Sequence, residues 1–122
     1  MHLVWRSFER EKMRVFKHND PADLERLLEQ WRPQVRRIMI AVEGVYRMDG
    51  DLVRLPEIVA IKRRFDAVLL VDEVHSLGVV GETGRGVAEK FGVERSDAEL
   101  WMGTLSKSWA SCGGYLAGAR GF

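Results

Sequence analysis

Two apolar runs of strand length, Arg36–Val42 (RRIMIAV) and Ala67–Asp72 (AVLLVD), stand on either side of a helix-forming segment, and that arrangement constrains the fold more than anything else in the chain. A hydrophobic run without polar alternation is what a strand buried on both faces requires. Between the runs, Pro56 opens the segment PEIVAIKRRF, and Leu55, Ile58, Val59 and Phe65 fall largely on one side of it. Proline is well placed in a first helical turn, where its missing N–H costs nothing.

The same alternation extends in both directions. Met13–Phe16 is a short strand candidate, followed by HNDPADLERLLEQW, in which Asp20 is placed to cap a helix, Pro21 to start it and Asp23 to favour its first turn. Leu24, Leu27, Leu28 and Trp31 follow at helical spacing, and Pro33 ends the segment. Glu43–Leu55 (EGVYRMDGDLVRL) is rich in turn formers. Gly78–Gly86 holds four glycines, which marks a structured loop, and VAEKFG is expected to be a short helix ending at Gly92. Glu99–Thr104 (ELWMGT) and Gly113–Gly118 (GGYLAG) are the last strand candidates. Strands alternating with helices predict an α/β fold with a mostly parallel sheet, flanked by helices and covered on both faces. No repeat, low-complexity tract or interdomain linker interrupts the pattern.

A chain of 122 residues, 46% of them hydrophobic, is long enough for one domain with a core. Its 19 basic and 18 acidic side chains nearly cancel, so no global field draws it to nucleic acid or to a membrane surface, and neither partner is expected. A single cysteine, Cys112, makes no internal disulfide; this fits a reducing compartment, with the cytoplasm as the default. It reads as a small packed residue, since no neighbouring base is evident. Charges scattered through the first residues leave neither a signal peptide nor a membrane span there.

Ligands of such sheets bind at the carboxyl ends of the strands. Asp72 ends one strand, His75 follows in the loop, and Lys107 lies three residues beyond the strand-ending Thr104. A carboxylate held at the end of a buried strand needs a cationic or hydrogen-bonding partner, for which a protonated ring nitrogen is suited. A lysine in a confined site becomes a nucleophile able to form a Schiff base. Thr104 and Ser106 offer hydroxyls among small residues, a setting that suits phosphate. Together these features describe a phosphorylated pyridine aldehyde, pyridoxal phosphate, acting as an electron sink. Each has a plainer reading. A lone Lys, Asp or His in a loop is more often solvated or structural, Ser106, Ser108 and Ser111 can be turn formers, and Arg85 can be solvated. GETGRG is not the G-x-G-x-x-G of a dinucleotide-binding domain, and that alternative has little support.

Val71–Gly86 (VDEVHSLGVVGETGRG) followed by Met102–Gly118 (MGTLSKSWASCGGYLAG) resembles the α-oxoamine synthase group of fold-type I pyridoxal-phosphate enzymes, within the class-II aminotransferase-like family. Glu43–Ile58 and Phe16–Leu28 are similar to the same group. The resemblance implies the central part of the large domain of a fold-type I transferase. In the same way it implies that Asp72 pairs with the pyridine nitrogen, and that His75 bonds near the ring hydroxyl and helps position the acyl substrate. Lys107 would carry the cofactor as an imine and act as acid or base, Thr104 would bind phosphate, and Ser106 would be a second donor. The implied reaction condenses an amino acid with an acyl thioester, on coenzyme A or an acyl carrier protein, with loss of carbon dioxide. Transamination within the family and a non-catalytic remnant are the alternatives. Full-length members are expected to be homodimers. Residues 1–122 are expected to be a partial cofactor-binding domain, without the family's N-terminal phosphate loop and C-terminal small domain. One departure stands out: Arg47 occupies a position where the group often has serine.

Overall fold

The computed structural model describes residues 12–119; the N-terminal residues read above as neither signal nor span lie mostly outside them. Four strands form one sheet: β1 (Met39–Glu43), β2 (Val68–Asp72), β3 (Leu100–Thr104) and β4 (Gly114–Gly118), in the order β1-β2-β3-β4. The first three are parallel, and β4 returns antiparallel along β3. The expected mostly parallel α/β sheet is therefore present. Its strands are shorter than the apolar runs that announce them. β1 begins only at Met39, which is itself exposed; Arg36 and Arg37 before it are exposed too, while Ile38 is partly buried against the core.

Three helices accompany the sheet: α1 (Pro21–Trp31), α2 (Leu55–Arg64) and α3 (Val87–Phe91). Asp20 caps α1 as expected, its carboxylate accepting from the N–H groups of Ala22 and Asp23 at 3.0 and 3.1 Å, and so satisfying donors that a helix start leaves orphaned. α2 starts one residue before Pro56 and α3 ends on Gly92, whose φ of +63° is the left-handed stop that glycine permits. Met13–Phe16 forms no strand, and Val15 is almost fully exposed. No helix among the described residues is long and apolar enough to cross a membrane.

The core is one-sided. Leu24 and Leu28 of α1, Leu55, Ile58, Val59 and Ile61 of α2, and Val87 and Ala88 of α3 join Ile40, Val42, Leu69, Val71 and Trp101 in a single buried cluster. Because successive strand residues point to opposite faces, these strand residues define one face. The other face carries Val68, Leu70, Asp72, Leu100, Met102 and Thr104, all only partly buried. The expected cover on both faces is thus not found among the described residues; the helices gather on one side. At the amino ends of the strands, Lys62 pairs with Glu99, whose second oxygen accepts from Leu69 N–H at 2.8 Å. Burial alone would push Glu99 up, but these bonds outweigh it and hold its carboxyl below the usual range.

Candidate functional site

Parallel strands end together, so the sheet gathers Glu43, Asp72 and Thr104 at one edge although the sequence separates them. Glu43 is the register partner of Asp72 across β1 and β2, and Asp72 is opposite Met102, two residues before Thr104. Asp72, Met102 and Thr104 therefore lie on the half-covered face. The backbone on both sides of Asp72 is fixed: its carbonyl accepts from Gly44 N–H at 2.8 Å, and the next N–H, of Glu73, donates to the Met102 carbonyl at 2.7 Å. Chain flexibility at this position is accordingly small.

One carboxylate oxygen of Asp72 accepts from Val74 N–H at 2.9 Å. Burial raises its pKa above the ordinary carboxylate value; the Val74 bond opposes the shift, the nearby Glu43 adds to it, and His75 opposes it. An acid so placed is stabilised in its charged form by any cation brought to its free side. His75 is half-buried in the turn that follows, close enough for its charge to act on Asp72.

Beyond β3 the chain makes a loop closed at its base by the Thr104–Gly114 rung of the β3–β4 ladder. Leu105 N–H donates to the Gly113 carbonyl at 3.0 Å and Ser111 N–H to the Leu105 carbonyl at 2.8 Å, which brace the loop internally. The hydroxyls of Thr104 and Ser106 lie 3.2 Å apart, close enough for one to donate to the other. Lys107 is exposed in this loop, and no described residue pairs with its amine. The five residues singled out in the sequence thus converge on one edge of the sheet, on β2, β3 and the loops that follow them. Cys112 does not behave as expected: it is exposed rather than packed, because it lies in a loop whose residues 106–113 are all exposed. Arg47 is also exposed, its N–H 3.4 Å from the Glu43 carboxylate.

Sequence reasoning missed Glu73. It is fully buried, with one oxygen accepting from Val87 N–H at 2.9 Å and the other from Arg95 Nη1 at 3.0 Å. Arg95 in turn lies over the Trp101 ring, 4.4 Å from its centre, and donates to the Arg85 carbonyl, while Trp101 Nε1 donates to the Arg95 carbonyl at 2.9 Å. Glu73 so ties the end of β2 to the exit of the glycine-rich loop. The available signal was Gly86: its φ is +88°, and a Cβ there would collide with the Glu73 carboxylate. Ser108, read as a turn former, instead bonds outside its own loop, donating to the Leu77 carbonyl at 2.7 Å.

A carboxylate with one free oxygen, two adjacent hydroxyls and a lysine with no partner among the described residues thus stand at the carboxyl edge of a parallel sheet, and comparison with known proteins identifies the class. The chain belongs to the class I and II aminotransferase family, whose model, described as "Aminotransferase class I and II", it matches over residues 2–120. Among its relatives are Long chain base biosynthesis protein 2b of Arabidopsis thaliana, 46% identical over 116 residues, and human Serine palmitoyltransferase 3, 47% identical over 116 residues. Those alignments cover 88% of this chain but 24% and 21% of the relatives, so the chain spans about a quarter of their length. The structure of serine palmitoyltransferase from S. paucimobilis, solved with a bound PLP–myriocin aldimine, superposes with a TM-score of 0.80 at 38% identity, over 87% of this chain and 27% of that one. The likeness to the α-oxoamine synthases read from the motifs is thereby borne out, and so is the fold of a fold-type I central domain.

Proposed function

We propose that this chain is the cofactor-binding segment of a pyridoxal-phosphate-dependent acyltransferase that condenses an amino acid with an acyl thioester. The observation that carries the reading is the convergence of Asp72, the Thr104–Ser106 hydroxyl pair and the unpaired Lys107 on one edge of the sheet. The residues fit the cofactor. The raised proton affinity of Asp72 answers to a pyridinium N–H, with one carboxylate oxygen already held by Val74 and the other turned to no described partner. Two adjacent hydroxyls suit a phosphate, and Lys107, with no counter-ion among the described residues, is accessible to an aldehyde.

When bound, the cofactor supplies an electron sink for a carbanion at the amino-acid carbon. The protein's part would be to bind and orient: Asp72 would hold the ring nitrogen in its charged form, Thr104 and Ser106 would hold the phosphate, and His75 would donate near the ring hydroxyl and help position the acyl group. Lys107 would provide the covalent attachment and move protons. Relatives named for serine palmitoyl transfer support an amino acid and a long-chain acyl thioester as the substrates. A longer protein containing this segment would work as a homodimer, and the rest of the large domain and a small domain would come from sequence beyond these residues.

Reductive trapping tests the reading. The purified chain is mixed with pyridoxal phosphate, treated with borohydride, and the modified lysines are located by peptide mass. Label confined to Lys107, and lost in Lys107→Ala, is expected; label spread over surface lysines would sink the proposal. The family's description favours transamination as the second reading. Release of carbon dioxide only when both amino acid and acyl thioester are present supports condensation, whereas a keto acid formed without the thioester supports transamination.

A further inference from the structure

Lys107 lies on an exposed loop, and an exposed lysine with a long flexible stem defines no position by itself. The residue after it is tied down. Ser108 Oγ donates to the Leu77 carbonyl at 2.7 Å, across a sequence gap of 31 residues, and so joins the lysine loop to the turn that carries His75. The neighbouring Gly78 is shaped to admit this contact. Its φ is +83°, and a Cβ built there would be 2.7 Å from Ser108 Oγ and 2.8 Å from Ser108 Cβ, distances no packed side chain tolerates. Gly78 N–H is meanwhile held by the Gly84 carbonyl at 2.8 Å, which closes the glycine-rich loop behind it. The glycine leaves the space and the serine fills it.

We infer that Ser108 and Gly78 form a latch that positions Lys107 over the Asp72–His75 turn, making Ser108 a positioning residue for attachment of the cofactor. The inference rests on the cofactor-binding reading above and deepens it. The lysine loop has its own braces, Leu105 to Gly113 and Ser111 to Leu105, which hold its shape but not its aim. Only the Ser108 bond reaches from this loop to the element bearing His75 among the bonds described for residues 105–113. A neutral hydrogen bond of this kind contributes a net factor of about 3 to 10 in an equilibrium.

Two measurements on the full chain separate the latch from the reading beneath it. Amide hydrogen exchange over residues 105–113, followed without cofactor, is expected to quicken about 3- to 10-fold in Ser108→Ala. It should quicken at least as much in Gly78→Ala, where the new methyl pushes the serine away. The pyridoxal phosphate concentration for half-maximal borohydride labelling of Lys107 should rise by a similar factor in both variants, with the far-ultraviolet circular dichroism unchanged. Unaltered exchange in Ser108→Ala would overturn the latch. Faster exchange with an unaltered labelling curve would overturn the positioning role. Absence of Lys107 label in the unsubstituted chain would overturn the cofactor reading and the positioning role with it, while the exchange comparison still decides the latch.

Discussion

Asp72 and Glu73 are neighbours in the chain and belong to opposite faces of the sheet, and their surroundings differ in every respect that matters to a carboxylate. Glu73, on the helix-covered face, is fully buried and has both oxygens engaged, by Val87 N–H and by Arg95. Asp72, on the half-covered face, has one bond to Val74, a second acid, Glu43, beside it, and a pKa that burial has raised. Glu73 is spent on holding the molecule together; Asp72 is held in reserve. The same contrast runs along both faces, with Leu69, Val71 and Trp101 packed beneath the helices while Leu70, Met102 and the exposed Leu116 look the other way. A protein that must bind a cation can keep an unsatisfied acid only where the opposite face supplies the stability to tolerate it.

The contrast can be broken most sharply at Glu73. Glu73→Ala strands the buried Val87 N–H and removes the partner of Arg95, which is half exposed and can turn to water, so it should cost about 1 to 3 kcal/mol of stability, the usual consequence of leaving a buried donor unsatisfied. Urea denaturation measures it, and a loss under about 1 kcal/mol would mean that the two faces are not so different. The opposite sign is expected at Asp72. Its pKa is raised by folding, so its contribution is favourable in acid and is lost as pH rises through the folded value. Asp72→Asn should therefore raise the melting temperature at neutral pH, by up to about 4 °C, the shift that 1 kcal/mol produces in a domain of this size. The gain should shrink as the pH falls, and pyridoxal phosphate binding should weaken in the same variant. A melting temperature lowered at neutral pH would contradict the reserve role. The smallest effect is expected on the open face. Leu116→Lys replaces a side chain that is 62% exposed and should change stability by less than about 0.5 kcal/mol in the same denaturation assay.

What could be read from the sequence follows the same division. Strand and helix order and the caps at Asp20 and Gly92 follow from local pattern, and so does the position of Asp72 and Thr104 at strand ends with His75, Ser106 and Lys107 in the loops after them, since strand ends and glycine clusters are visible in one dimension. The strand expected at Met13–Phe16 did not form: Phe16 packs against the core while Val15 stays exposed, so the short run offers no regular buried face to dock on the sheet. The antiparallel return of β4 was not foreseen, because a short apolar run carries no sign of its direction. Glu73 and Ser108 were hidden for a different reason. Their partners, Arg95 and Leu77, lie 22 and 31 residues away, and a glutamate or serine in a loop motif looks the same whether it is solvated or bonded across the fold. The positive-φ glycines Gly86 and Gly78, each needed to make room for one of them, were the only trace.

The antiparallel return of β4 has one more consequence. Because Gly114 comes back directly opposite Thr104, residues 105–113 leave and re-enter the sheet at a single rung, as an Ω-shaped excursion whose two ends already touch. Such an insert is modular: replaced by a two-residue hairpin turn, it would leave the β3–β4 ladder in place and take Lys107 with it. The scaffold and the proposed site are therefore separable at one seam, which would let a lineage exchange or discard the lysine loop without redesigning the sheet beneath.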